Sequence, residues 1–228
     1  MTSICRACVL CLASTLFGCS GGSDAPYAQS RGAQTIVDQF RKPPPTPENV
    51  PEFGQKWIAA LTTPTLEVTL ERSGRVAVLA PFSDRPDSTR GAVRVWRSAD
   101  DAQIVLRGGV LIATRGLGND VDSTLVKTMV AALSARAPVS GRHVLYTITG
   151  ENSTKAIDQI CTSQLVGYEV IDIFERQIKS RHVRLACKWG GAVKSYDFWV
   201  DERQSTVWQS RQWAGPDIGY VRTRLLKE

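Results

Sequence analysis

From Leu66 onward, apolar side chains recur at every second position over much of the chain, and this alternation constrains the fold more than any other feature. Leu66, Val68 and Leu70 alternate with Glu67, Thr69 and Glu71, the mark of a strand with one buried face and one wet face. Ser73-Gly74 supplies a turn into residues 75–80, so the first two strands form a hairpin. Residues 92–97 make a third strand, with Val93 and Val95 on one face and Arg94 and Trp96 on the other. Residues 103–107 and 110–114 flank Gly108-Gly109 and form a second hairpin. Later, residues 144–150, 168–176, 182–188, 193–201, 206–213 and 218–226 read as strands. The pattern is cleanest where Val183, Leu185, Cys187 and Trp189 share the core side and Arg184, Ala186 and Lys188 the other. Roughly ten strands with a few short helices call for a mainly β fold, either an antiparallel β-sandwich or an incompletely closed β-barrel.

Three segments depart from period two. Ile36, Val37 and Phe40 form a short helix, which Pro43-Pro44-Pro45-Thr46-Pro47 ends and continues as an extended spacer. Residues 53–61 hold a second short helix, with Trp57 and Leu61 four apart. Residues 121–135 are the strongest helix. Val121, Leu125, Met129 and Ala132 mark one face, and Asp120 stands where an N-terminal cap belongs.

The amino terminus follows another logic. Arg6 precedes a short apolar stretch ending at Phe17, and Gly18-Cys19 follows, the layout of a bacterial lipoprotein signal. On this reading residues 1–18 are the signal peptide and Cys19 carries the lipid. Residues 19–47 are a tether with a short helix and a Pro-rich spacer, and residues 48–228 form a single β-rich domain. Phe17 departs from the pattern, which has a small residue at that place. Ser20, where an inner-membrane protein would carry aspartate, points to the outer membrane and its periplasmic face. No run of about twenty apolar residues follows Cys19, so no helix there is built to span a bilayer.

Six cysteines become two once Cys5, Cys8 and Cys11 leave with the signal and Cys19 takes lipid. Cys161 and Cys187 then stand in an oxidising compartment and are expected to pair; two separate buried thiols are the alternative. His143 and His182 show no metal-ligand spacing with them, and no metal or other cofactor is expected. The net charge of +6 comes from scattered residues such as Arg72, Arg94, Arg115, Arg203 and Arg224. Without a basic run or a nucleic-acid motif, nucleic acid is not an expected partner. A mildly basic surface suits anionic headgroups or an acidic polysaccharide, and equally an ordinary solvated exterior.

Catalytic signals are sparse. There is no nucleophile elbow and no phosphate loop. Gly116-Leu117-Gly118 reads as a tight turn between a strand and a helix. Asp120 and Asp122 could serve as a general acid and base, but the helix start gives both a structural task. Asn152-Ser153-Thr154 fits a glycosylation acceptor in the wrong compartment for it. Tryptophan rings exposed on a sheet can stack on sugars, whereas buried ones build cores. Trp96 and Trp208, beside arginines or polar residues, are the candidate glycan or partner contacts.

The run Val110-Leu111-Ile112-Ala113-Thr114-Arg115-Gly116-Leu117-Gly118-Asn119-Asp120 resembles the central motif of the YjbF/GfcB family, the group-four capsule polysaccharide lipoproteins. Tyr196-Asp197-Phe198-Trp199-Val200-Asp201, Val207-Trp208-Gln209-Ser210-Arg211-Gln212-Trp213, Pro216 and Gly219-Tyr220 are similar to that family's closing strands. The resemblance implies an outer-membrane lipoprotein encoded with exopolysaccharide or capsule genes, working beside outer-membrane or periplasmic proteins that help polysaccharide assemble or leave the cell. It also implies one β-rich domain, and it brings no established active site. Arg115, Gly116, Leu117 and Asp120 carry over as motif positions without an assigned role. The expected function is a non-enzymatic accessory factor in polysaccharide secretion. Its alternatives are a periplasmic carrier of lipid or lipid-linked glycan, and a glycan-modifying enzyme using Asp120 and Asp122.

Overall fold

The computed structural model describes residues 55–86, 89–150, 153–174 and 176–228. The export signal, Cys19, the tether with its first helix, the Pro-rich spacer and Asn152 lie outside the described residues. A short helix α1 (Gln55–Ala59) leads into β1 (Thr65–Leu70), β2 (Arg75–Arg85), β3 (Val93–Arg97), β4 (Gln103–Arg107), β5 (Val110–Arg115) and β6 (Val121–Leu125). Helix α2 (Lys127–Ser134) follows, then β7 (Ser140–Ile148), β8 (Thr154–Ile173), β9 (Arg176–Trp189), β10 (Ala192–Asp201), β11 (Val207–Trp213) and β12 (Tyr220–Lys227).

The twelve strands form one antiparallel sheet in the order β5-β4-β3-β2-β1-β12-β11-β10-β9-β8-β7-β6. The chain meanders outward from β1 to β5, restarts at β6, and meanders back to β12, which pairs with β1. The two sheet edges, β5 and β6, are thereby neighbours in sequence, and the sheet curls until they lie side by side as a nearly closed barrel. The incompletely closed barrel is thus the realised member of the two architectures expected. Its walls nevertheless touch across the middle, as a sandwich's would. A register shift in the β4–β5 pairing frees the Leu111 amide from the ladder. That amide donates to Gln212 Oε1 on β11 at 2.8 Å, and Gln212 Nε2 donates to the Gly109 carbonyl at 2.9 Å. The turn before β5 also comes so close to β11 that a Cβ on Gly109 would sit 2.4 Å from Val207 Cβ.

One core fills the barrel, with Tyr196, Phe198, Met129, Leu145, Ile157 and Leu185 among its fully enclosed side chains. Cys161 and Cys187 are directly opposed on β8 and β9 and joined by a disulfide on the core side, where the alternation around Val183 and Leu185 places Cys187.

Two of the expected elements are corrected. Residues 121–135 are not one helix: β6 takes 121–125, and α2 begins only at Lys127. The helical face read from Val121 to Ala132 fails at Leu125, which is 52% exposed. The run Val-Asp-Ser-Thr suits an extended backbone, and pairing with β7 gives it hydrogen bonds that a helix start would lack. Val126 occupies the cap position of α2 and offers no side-chain bond, so Asp120 caps nothing. The turn around Gly116 consequently joins two strands, not a strand and a helix.

The second correction concerns residues 168–176, which straddle a turn. β8 runs from Thr154 to Ile173, and β9 starts at Arg176. The first half of β8 was hidden because Gln159 and Ser163, both polar, occupy core positions beside Ile157 and Cys161. The one strand of the twelve without an expected counterpart is β6, whose residues were read as the start of a helix.

Candidate functional site

Asp120 and its neighbours form the seam of the barrel. No backbone ladder joins β5 to β6, and side chains take its place. The Asp120 carboxylate accepts from Thr114 Oγ1 at 2.6 Å, from the Gly116 amide at 2.9 Å and from the Leu117 amide at 3.2 Å. Thr114 Oγ1 in turn accepts the Val121 amide at 2.9 Å. Arg115 spans the junction from outside, donating to the carbonyls of Thr114 (2.6 Å), Val121 (3.0 Å) and Asp122 (3.3 Å). Gly116 turns at φ +80°, a left-handed conformation that favours glycine, and its bare Cα fits against Ala102. Leu117 packs onto the core. The four motif positions therefore have one shared task, closing the wall. Asp122 lies on the outside against Arg115, at 3.8 Å, while Asp120 is buried and occupied, so the two carboxylates do not converge on a common cleft.

The tryptophans are corrected too. Trp96 is 3% exposed and Trp208 8%, so neither offers a free ring face. Trp96 is an inward residue of β3 beside Ile104, and the Arg176 guanidinium covers Trp208 at 4.4 Å from the ring centre.

One mouth of the barrel is open, and the β8–β9 hairpin builds it. Val166 is an extra residue between the pairs Leu165↔Val183 and Gly167↔His182. This bulge bends and twists the hairpin. Before it, Val183, Leu185 and Cys187 face the interior; beyond it, Ile178, Ser180 and His182 are the buried side chains of β9. The hairpin end thus folds back across β10 and β11. Trp199 Nε1 donates to Glu169 at 2.7 Å, and His182 stacks on Trp199 between Asp197 and Glu169. Phe174 reaches β12, under the Arg224 guanidinium at 4.8 Å. The other face of the hairpin, released from the core, turns Tyr168 and Arg181 to the mouth, where they are cross-strand partners.

Helix α2 forms the facing wall. Arg181 donates to the carbonyls of Leu133 (2.7 Å) and Ala135 (3.4 Å), placing a cation at the helix C-terminus where the backbone dipole favours one. Arg136 projects just beyond. The β10–β11 turn, shaped by Asp201 accepting the amides of Arg203 (2.7 Å) and Gln204 (2.8 Å), brings Glu202 and Ser205 to the rim. Together these elements bound an open groove of about 1000 Å³, with Ser163, Gln164 and Leu165 along its floor. A shallower groove of about 700 Å³ adjoins it, carrying Arg176, Lys179, Arg203 and Lys227 together with Asp201, Glu202 and Glu228. Tyr168 is 65% exposed and presents the mouth with its aromatic face.

Among the described residues lining the larger groove, Glu202 is the one carboxylate, and no histidine or cysteine joins it. In the larger groove Arg136 and Arg181 stand against Glu202 alone, the Tyr168 ring is accessible, and barrel mouths are common ligand sites. Among the described residues no three His, Cys, Asp or Glu side chains gather as a metal site would require. His143 is sealed inside against Tyr196, and burial pushes its pKa down to about 4. Sequence reading missed the mouth because Tyr168, Arg136 and Arg181 come from separate elements and carry no motif. The bulge that assembles them leaves only Val166-Gly167 as a trace.

Residues 33–226 match the family described as group 4 capsule polysaccharide lipoprotein GfcB, YjbF. No curated protein matches the chain. Among solved structures, the crystal structure of the hypothetical lipoprotein YmcC from Escherichia coli K12 is similar, with a TM-score of 0.65 and 20% identity. The likeness covers 88% of this chain and 97% of that one, and at this identity it speaks for the fold alone.

Proposed function

Because the chain belongs to the group 4 capsule polysaccharide lipoprotein family, we propose that it is a lipid-anchored, non-enzymatic accessory factor in exopolysaccharide assembly or secretion. Cys19 holds it to the periplasmic face of the outer membrane, and the barrel mouth is its working surface, turned to glycan or to secretion proteins. The carrying observation is the division of labour in the fold. The motif residues Thr114, Arg115, Gly116 and Asp120 are spent on the seam, while the mouth offers charge and an aromatic face without an acid–base pair. Arg136 and Arg181 suit carboxylates or phosphates of a polymer, and Tyr168 suits a sugar face.

A lipid carrier would need an apolar cleft. An apolar cavity between Val68, Leu79, Ile104 and Leu117 measures about 50 Å³, room for one or two waters at about 30 Å³ each, and the larger apolar groove beside Trp57, Leu61 and Phe82, about 390 Å³, is open to solvent. An enzyme using Asp120 and Asp122 would need carboxylates that share substrate, and the seam separates them.

Deleting the gene should lower surface polysaccharide, and the intact gene should restore it. A gene encoding Cys19→Ala, or Tyr168→Ala with Arg136→Glu, should not restore it, although the mouth variant melts within about a degree of the parent because both side chains are exposed. Normal polysaccharide in the Cys19→Ala strain would remove the anchor from the account, and glycan turnover by the purified protein would overturn the accessory role.

A further inference from the structure

The longest one-sided stretch of strand in the sheet is the second half of β8. β7 pairs with β8 only as far as Ser140↔Thr162, with one further backbone bond from the Ser163 amide to the Val139 carbonyl. From there to the turn, β8 has β9 on one side alone. Every second residue of 164–173 therefore directs its N–H and C=O away from the sheet. Exposed edges of this kind are blunted by proline, by charges, lysine above all, or by bulges such as that at Val166. The one-sided end of β2 contains Pro81. Residues 164–173, Gln-Leu-Val-Gly-Tyr-Glu-Val-Ile-Asp-Ile, contain neither proline nor lysine, and Leu165, Val166, Tyr168 and Val170 are exposed along them.

We propose that residues 167–173 of β8 pair antiparallel with the same residues of a second copy of this chain, about a two-fold axis through Val170. The bulge at Val166 ends the regular edge on one side, and the turn at Phe174 ends it on the other. In this register Val170 opposes its own copy, a β-branched pair. Tyr168 opposes Asp172, Glu169 opposes Ile171, and Gly167 opposes Ile173. Centring one residue earlier would set Glu169 against Glu169, a like-charge pair directly across the join.

Charge also favours a second copy. Arg181 is the cross-strand neighbour of Tyr168, and Gln177 that of Asp172. Across the join the row therefore reads Arg181, Tyr168, Asp172, Gln177, bringing each copy's carboxylate toward the other's guanidinium, and the row repeats in reverse beyond Val170. One such edge per copy makes the contact isologous, so it closes at a dimer and builds no fibre. Each mouth is bounded by its own β8, so the pair would set two mouths side by side. For a long polymer that arrangement raises avidity; this last consequence rests on the proposed function, whereas the pairing does not.

The test uses the full chain, lipidated and purified in detergent, with mass measured by light scattering. The parent should be a dimer that dissociates on dilution. Val170→Lys should be monomeric, and should melt with the parent at dilutions where the parent is monomeric too, because Val170 is 55% exposed and the substitution sets two cations face to face. Val170→Glu alone should also be monomeric, and mixing the two variants should restore the dimer. In whole cells, Val170→Cys should yield a disulfide-linked band of twice the chain's mass, because the two thiols would stand directly opposite each other across the join at a Cα separation of about 5.5 Å, within disulfide reach. Val193→Cys, exposed on β10, should not. A monomeric parent at every concentration, a Val170→Lys protein that stays dimeric, or a Val170→Cys band of another mass from a foreign strand each overturns the proposal. Loss of surface polysaccharide on gene deletion is independent of all three.

Discussion

His143 shows how a single side chain ties the fold to pH. It stands opposite Gln159 on β7 and β8, 1% exposed, with Nδ1 at 3.1 Å from the Leu125 carbonyl. Burial, only partly offset by that bond, lowers its pKa from 6.5 to about 4. The unfolded chain therefore takes up a proton first as the pH falls. Stability is fully present above about pH 6.5 and is lost progressively down to about pH 4, by about 3 kcal/mol in total. Denaturant titrations from pH 7 to pH 4 should show this slope, and His143→Gln should flatten it whatever its effect at pH 7. Glu71 acts lower on the scale. Its hydrogen bonds to Arg211 hold its carboxyl below the usual range, so its contribution is present above that range and disappears only as pH falls through the depressed value. In the sequence His143 was legible only as a histidine without metal-ligand neighbours. Its burial depends on which face of β7 turns inward.

At the scale of elements, the seam between β5 and β6 is the most informative junction. Asp120→Asn keeps the size of the side chain but removes the charge that three donors share, and should cost about 2–3 kcal/mol. Asp122→Asn, on the wet side, should change stability by less than about 0.5 kcal/mol. Equilibrium unfolding of both variants distinguishes a seam from a catalytic pair, for which both changes would spare stability and abolish function. The sequence marks this junction as a turn, because Gly116 and Gly118 announce positive φ. What it leads into was not legible. Val121, Leu125, Met129 and Ala132 fit a helical face, and only a sheet with an edge waiting beside it makes β6 the better solution. Strands with conventional inside–outside alternation, such as β4 and the Leu185 half of β9, were readable, and so was β1, although Glu67 on its other face is buried as well. β8 was not, since Gln159 and Ser163 are polar residues in core positions, with Gln159 accepting the Tyr196 hydroxyl at 2.9 Å and Ser163 the Val139 amide at 2.8 Å.

For the whole molecule, the contact between opposite walls decides the cross-section. Gly109 has φ +86° and no room for a Cβ against Val207, so Gly109→Ala should destabilise the domain by about 2–4 kcal/mol through strain and overlap together. Calorimetry should find one lowered transition for the entire barrel, and an unchanged melting temperature would show that the walls can part without cost. The sequence by itself determined the antiparallel β character, the hairpins at Gly74 and Gly108-Gly109, the core side of Cys187 and the family, because each is written in local period or in a contiguous motif. Tertiary structure alone decided that the sheet closes on itself at Asp120, that Trp96 and Trp208 are interior, and that Tyr168, Arg136 and Arg181 share one mouth. These outcomes depend on curvature accumulated over twelve strands and on one bulge, and such long-range geometry leaves no periodic signal in the chain.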